Sequence, residues 1–114
     1  GVHMVADGRG GTAWVSAARV AQVLDNLLAN AIDASPHGGT VAVRANGREL
    51  HVVDEGPGLA PAERERAFDR FWTTGKKHGS GLGLSIAKRL VELDGGTIEL
   101  RVADTGGVDA TVLY

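Results

Sequence analysis

Cysteine is absent from the 114-residue chain, which excludes disulfide frameworks, thiolate metal sites and cysteine nucleophiles. No charge of one sign dominates: 12 Lys and Arg stand against 14 Asp and Glu, for a formal net charge of −2. So weak a field advertises neither nucleic acid nor an anionic membrane as a partner. No apolar run reaches the ~18 residues of a membrane span. The first residues lack the basic-then-apolar layout of a secretory leader. The 4 histidines show no zinc-type spacing, and the acids form no EF-hand loop. Two glycine motifs also fail. The dinucleotide fingerprint wants glycine where Leu84 stands. The Walker loop wants Ser or Thr after Gly75-Lys76, where Lys77 stands, and glycine at Arg70.

Glycine, by contrast, is abundant. The 17 glycines are about double the usual ~7%, and they cluster. No internal repeat or linker interrupts the chain, so residues 1–114 read as one domain. Val2–Ala6 and Thr12–Val15 read as short strands around an Asp7–Gly11 turn. Ser16 is a helix N-cap candidate. From there Val20, Val23, Leu24, Leu27, Leu28, Ala31 and Ile32 repeat at helical period until Ser35-Pro36. Asn46-Gly47 between Val41–Ala45 and Arg48–Asp54 predicts a hairpin, because both central residues need positive φ. Pro61 suits the first position of a helix through Phe71. Leu82–Leu93 reads as a third helix closed by Gly95-Gly96. Thr97–Val102 and Val108–Leu113 form a second hairpin around Asp104–Gly107. This order predicts an α/β (α+β) two-layer sandwich. A mixed sheet of about five strands would carry three helices on one face.

Three segments carry more than packing. Asn26, Asn30 and Asp33 share one face of the first helix. A solvated face is one reading. Asn and Asp are poor helix formers, however, and amide oxygens suit a hard cation such as magnesium. Asp54-Glu55-Gly56-Pro57-Gly58 ends an apolar strand. It is either an ordinary strand-to-helix turn or a carboxylate that accepts from an exocyclic amine, with glycines that let a flat ring approach. Gly79-Ser80-Gly81-Leu82-Gly83-Leu84 opens a helix. It is either a hinge or a phosphate cradle of backbone amides at a positive helix end. Leu82 and Leu84 look built to dock, which disfavours a mere linker.

Taken in order, these segments resemble the ATP-binding catalytic domain of sensor histidine kinases, in the GHKL (Bergerat-fold) superfamily. Asn26–Ala31 is similar to that family's N box and Asp54–Gly58 to its G1 box. Phe68-Asp69-Arg70-Phe71 is similar to its F box and Gly79–Leu84 to its G2 box. The span from Ser16 to the C-terminus is covered. The resemblance implies a Bergerat fold with ATP and Mg2+ as cofactors. It makes Asn30 the magnesium ligand, Asn26 its companion near the phosphates, and Asp54 the reader of the adenine amino group. Gly56 and Gly58 would line the adenine pocket. Gly79, Gly81, Leu82 and Gly83 would meet the phosphates. Thr111 would lie near the adenine. Arg70, Lys76 and Lys77 would be the cations of a mobile lid between Gly58 and Gly79.

The same resemblance bears on chemistry. Hydrolytic relatives and serine kinases carry a glutamate base where Asn26 stands, and an amide takes no proton near neutral pH. This favours the histidine-kinase branch. The family's phosphoacceptor histidine has no match among His3, His37, His51 and His78. The expected partners are therefore a separate dimerisation and phosphoacceptor domain and a downstream response regulator. No nucleic acid and no membrane contact are expected in this segment, which would be monomeric alone and cytoplasmic. One departure stands out: many relatives place Lys or Arg where Asp33 stands. That substitution and the short lid keep a second function open, a catalytically silent nucleotide-sensing module.

Overall fold

The computed structural model describes residues 3–8 as backbone, together with residues 16–69 and 82–114. The chain order is β1 (His3–Gly8), α1 (Ala17–Ala34), β2 (Thr40–Asn46), β3 (Glu49–Val53), α2 (Pro61–Arg66), α3 (Gly83–Leu93), β4 (Thr97–Val102) and β5 (Val108–Leu113). The five strands form one mixed sheet in the order β1-β2-β3-β5-β4. β1 runs parallel to β2, and every other pairing is antiparallel. A parallel pair needs a crossover, and α1 supplies it. The expected α/β two-layer sandwich is therefore the architecture found. The expected strand at Thr12–Val15 lies outside the described residues.

α1 starts where Ser16 takes an extended conformation and its hydroxyl accepts from the Arg19 amide. Its buried stripe is Val23, Leu27 and Ala31. Ile32, expected in that stripe, is 40% exposed. The helix stops at Ser35 because Pro36 disfavours the helical region for the residue before it. Below α1, Val41, Val52, Leu100, Ala110 and Val112 point up from alternate strand positions. α3 adds Ala87 and Val91. Fully burying a side chain such as Leu27 contributes ~1.5–3 kcal/mol relative to leaving it in water.

α1 and α3 cover the sheet as an antiparallel pair. Arg19 at the start of α1 donates from Nε (3.0 Å) and Nη2 (2.6 Å) to Asp94 Oδ1, just past the end of α3. The guanidinium hydrogen bond holds the Asp94 carboxyl below its usual range, and the carboxylate raises the Arg19 pKa. Gly95 then takes φ +77° and releases the chain into β4.

Three boundaries differ from expectation. Asp7 and Gly8, expected in a turn, continue β1 and pair with Arg44 and Ala45 of β2. Asn46 pairs with Glu49, so the hairpin turns on Gly47 and Arg48 rather than on Asn46-Gly47. Only Gly47 of that expected pair takes up the turn, at φ +62°, while Asn46 stays in the ladder. α2 ends at Arg66 rather than Phe71. None of its own residues is buried. The chain instead turns so that Ala67 and Phe68 enter the core, with the Asp69 amide donating to the Arg66 carbonyl.

Candidate functional site

Asp54 follows β3 directly and is 3% exposed. Its Oδ1 accepts from the Gly56 amide (2.9 Å) and the Val108 amide (3.1 Å). Its own amide donates to the Val108 carbonyl, and its carbonyl accepts from Thr105 Oγ1 at 2.7 Å. The Gly107 amide donates in turn to Thr105 Oγ1. The carboxylate is thus held by its own turn and by the β4–β5 hairpin at once. Burial pushes its pKa up, against the Val108 and Gly56 amides, which favour the charge. A charge kept in such a place is costly unless something charged or strongly polar uses it.

The glycines around Asp54 serve close backbone packing. A Cβ on Gly56 would sit 2.6 Å from the Ala34 carbonyl oxygen. Gly58, at φ +75°, would place one 2.5 Å from the Gly106 carbonyl oxygen. The Asp54–Gly58 segment is wedged between the end of α1 and the β4–β5 turn. At both glycines the nearest atoms to an added Cβ are protein backbone, and this close packing fixes Asp54. Glu55 helps, because its Oε1 accepts from the Thr40 amide. Arg64 Nη1 donates to the Leu59 carbonyl and Glu63 Oε1 accepts from the Ala60 amide, which secures the exit of the loop. Beside it, a cavity of about 200 Å³ opens between Pro57–Ala60 and the β4–β5 turn.

Asn26, Asn30 and Asp33 lie along one stripe of α1, as their spacing requires. Asn26 is half-buried, and its Nδ2 is buried without a hydrogen-bond partner among the described residues. A buried donor left so costs ~1–3 kcal/mol, which makes it a place for an acceptor such as a phosphate oxygen. Asn30 is exposed. The start of α3 comes to the same region. From Asp94 back to Gly83 the helix rises about 16 Å, and the same rise along α1 leads from Arg19 to Asn30. Gly83 therefore stands about level with Asn30. Among the described residues no side chain caps α3, and its first turn holds no acidic residue. A Cβ on Gly83 would meet nothing within 4 Å. Leu82 occupies the N-cap position, its carbonyl accepting from the Ile86 amide and from Ser85 Oγ. Leu84 packs on the core. Amide oxygens, an orphaned amide donor and a positive helix end suit a magnesium–phosphate group.

The structure thus brings Asn30, Asp54, Gly56, Gly58, Leu82 and Gly83 toward one end of the sandwich, with Asn26 about one turn further back along α1. It does not bring Thr111 there. Thr111 pairs with His51 across β3 and β5. Its hydroxyl donates to Asp109 Oδ1 (3.0 Å) and lies 3.2 Å from His51 Nδ1. Strand alternation sends its side chain to the face opposite Ala110 and Val112, which meet the helices. Arg70, Lys76, Lys77, His78, Gly79 and Gly81 lie outside the described residues. Thr105, Gly107 and Val108 also hold Asp54, and no local sequence signal ties them to it. Gly106-Gly107 was visible as a turn, but nothing in it named Asp54 as the group it packs against. A Cβ on Gly107 would lie 2.3 Å from the Asp54 carbonyl oxygen and 2.4 Å from its Oδ1.

Known proteins share this fold. Residues 15–114 match the family described as histidine kinase-, DNA gyrase B-, and HSP90-like ATPase. The sensor histidine kinase WalK of Bacillus subtilis is 42% identical over 91 residues, which cover 70% of this chain and 15% of that protein. The signal transduction histidine-protein kinase/phosphatase MprB of Mycobacterium ulcerans is 38% identical over 112 residues, 91% of this chain and 22% of that protein. The chain therefore spans about a fifth of such relatives or less. Among solved structures, a mycobacterial sensor histidine kinase MprB superposes with a TM-score of 0.88 at 30% identity, over 99% of this chain and 80% of that one. Full-length ShkA in complex with AMPPNP superposes with a TM-score of 0.82 at 28% identity, over 98% of this chain and 25% of that one. The chain belongs to the histidine kinase-, DNA gyrase B- and HSP90-like ATPase family, and its likeness is to the ATP-binding catalytic domains of sensor histidine kinases.

Proposed function

We propose that this domain binds ATP with magnesium and presents the γ-phosphate to a histidine on a separate dimerisation and phosphoacceptor domain. The observation that carries this is the buried Asp54, pinned through Oδ1 beside the Asn26–Asn30 face and the start of α3. Asp54 accepts from the adenine amino group. The immobilised carboxylate loses little freedom on binding, so its hydrogen bond acts in selection. Asn30 offers its amide oxygen to magnesium, and the Asn26 Nδ2 donor gains a phosphate oxygen. Leu82 and Gly83 bring the first amides of α3 to the phosphates.

Among the described residues, no three His, Cys, Asp or Glu side chains gather as a metal cage. A magnesium ion at Asn30 would draw most of its ligands from phosphate and water, which is its habit in nucleotide sites. Magnesium, when bound, supplies neutralisation of the phosphate charge. The chain's own part is to orient the nucleotide and keep it in line for attack. Asn26 is an amide, so it provides no base at that position to activate water or serine.

We place the domain in a two-component sensor kinase, cytoplasmic and monomeric when alone, with a response regulator downstream. Arg70, Lys76 and Lys77 are the proposed lid cations. No described helix is long and apolar enough to cross a membrane. The test is transfer of label from γ-labelled ATP. The chain alone incorporates none, and the chain mixed with a cognate phosphoacceptor domain labels that domain's histidine. Label on the chain itself refutes the proposal. Asp33 supports a second reading, a silent nucleotide-sensing module of the same fold, and transfer to the partner domain eliminates it.

A further inference from the structure

β3 and β5 meet at the candidate site. Asp54 follows Val53 at the end of β3, and Val108 opens β5 with its amide on Asp54 Oδ1. On the sheet face away from the helices, one side chain ties these two strands together. His51 Nδ1 lies 3.0 Å from Asp109 Oδ1 and 3.2 Å from Oδ2, and His51 Nε2 lies 3.3 Å from Glu49 Oε2. A neutral imidazole has one N–H and serves one carboxylate, whereas the imidazolium donates to both. Thr111, opposite His51, donates to the same Asp109 oxygen. From β2, exposed Arg44 faces His51. From β4, Arg101 faces Asp109 but is paired with Glu99, which itself faces Thr111. The His51 and Asp109 side chains are 18% and 22% exposed, so salt and water screen this pair less than a surface pair. Burial alone would lower the His51 pKa, and the hydrogen bonds to Asp109 and Glu49 outweigh it and raise it.

The tie runs diagonally. In the ladder His51 is opposite Thr111, and Asp109 is opposite Val53. A diagonal contact resists sliding of β3 along β5 as well as separation of the two. Asp109 is the chain neighbour of Val108, and Val53 that of Asp54. Either movement therefore reaches the 3.1 Å bond from the Val108 amide to Asp54 Oδ1.

We infer that His51 and Asp109 are positioning residues for Asp54, and that protonated His51 holds this carboxylate in place for the adenine amino group. This rests on the proposed ATP site and concerns residues on the opposite face of the sheet from it. The clasp is complete while His51 is charged. It weakens as pH rises through the raised His51 value, when the ring keeps a single N–H for two carboxylates.

The experiment is calorimetric titration, in excess magnesium, with ATP and with the triphosphate of purine riboside, which lacks the 6-amino group. Both ligands carry the same triphosphate, so its own ionisation cancels in the ratio of their affinities. Wild type, His51→Gln, His51→Arg and Asp109→Asn are compared between about pH 6 and about pH 9, and melting curves confirm that each is folded. The expected wild-type preference for ATP falls by about two- to fivefold across that span. His51→Gln and Asp109→Asn show the lower preference throughout, and Asp109→Asn decides the matter where His51→Gln does not fold. His51→Arg, which stays charged, keeps the higher preference throughout. A preference in all variants that matches wild type at every pH overturns the positioning role and leaves the nucleotide site standing. An equal loss for both triphosphates also overturns it, because ATP alone presents the amino group. Failure of wild type to bind ATP, or equal wild-type affinity for the two ligands, overturns the reading of Asp54 and this inference together.

Discussion

Asp54→Asn separates what the carboxylate does for a ligand from what it does for the fold. The substitution keeps shape. The asparagine oxygen can replace Oδ1 as acceptor for the Gly56 and Val108 amides, at 2.9 Å and 3.1 Å in the wild type. Burial raises the Asp54 pKa, so the folded state holds that charge at a cost, and a neutral amide removes it. Stability at neutral pH should therefore hold or rise. Binding moves the other way. A hydrogen bond to a charged acceptor contributes ~1.5–3 kcal/mol. The asparagine NH2 would also face the adenine amino group donor to donor. ATP affinity should fall by about 10- to 150-fold, and a purine with a carbonyl at that position should lose far less. Calorimetry with ATP and GTP beside a denaturant melt reads both effects. A variant that binds ATP within about threefold of wild type, or that unfolds, would refute the reasoning. The pH dependence has a matching sign. The folded carboxyl takes its proton at higher pH than an ordinary aspartate. Acidification should thus cost wild-type ATP affinity before it reaches the usual carboxylate range. Over the same span it relieves the buried charge, so the Asp54 contribution to stability improves as pH falls.

Gly107→Ala forces a methyl group within 2.3 Å of the Asp54 carbonyl oxygen. Overpacking of this kind costs ~1–3 kcal/mol, and both the denaturation midpoint and ATP affinity should drop; an unchanged midpoint contradicts the packing. Asn30→Ala alters an exposed side chain, so the melt should be unaffected while the gain in ATP affinity from magnesium shrinks; a full magnesium effect in the variant removes Asn30 as the ligand. On the sheet face away from the helices, burial alone would lower the His51 pKa, but hydrogen bonds to Asp109 and Glu49 raise it above its ordinary 6.5. That pairing stabilises the fold fully below the unfolded value and is lost as pH rises through the raised one. His51→Gln should flatten the fall in Tm across that window, and an identical slope in the variant excludes His51 as its source.

Much of the fold was legible in local pattern. The helical period from Val20 fixed α1, Ser16 its start, and Pro36 its end. Glycine pairs marked the turns. Errors fell where a local signal had two outcomes. Asn46-Gly47 predicted a turn, but the register of β2 on β3 decided which residues formed it. The helical pattern from Pro61 ran on to Phe71, but Ala67 and Phe68 left the helix to join a core formed by distant elements.

The site divides the same way. Residue type and spacing along α1 were enough to put Asn26, Asn30 and Asp33 on one face, because a helix has a single period. The segment at Asp54 announced a carboxylate at a strand end. Long-range pairing settled the rest. β5 inserts between β3 and β4 and brings Val108 to Asp54 from 54 residues away. The antiparallel clasp of Arg19 and Asp94 carries the start of α3 to the level of Asn30. Strand alternation removes Thr111 to the opposite face. Sequence by itself determined the elements and the chemical character of the site, since both are set by residues a few positions apart. Only the tertiary structure decided which groups meet and which carboxylate bears the cost of burial, because both depend on contacts between segments distant in the chain.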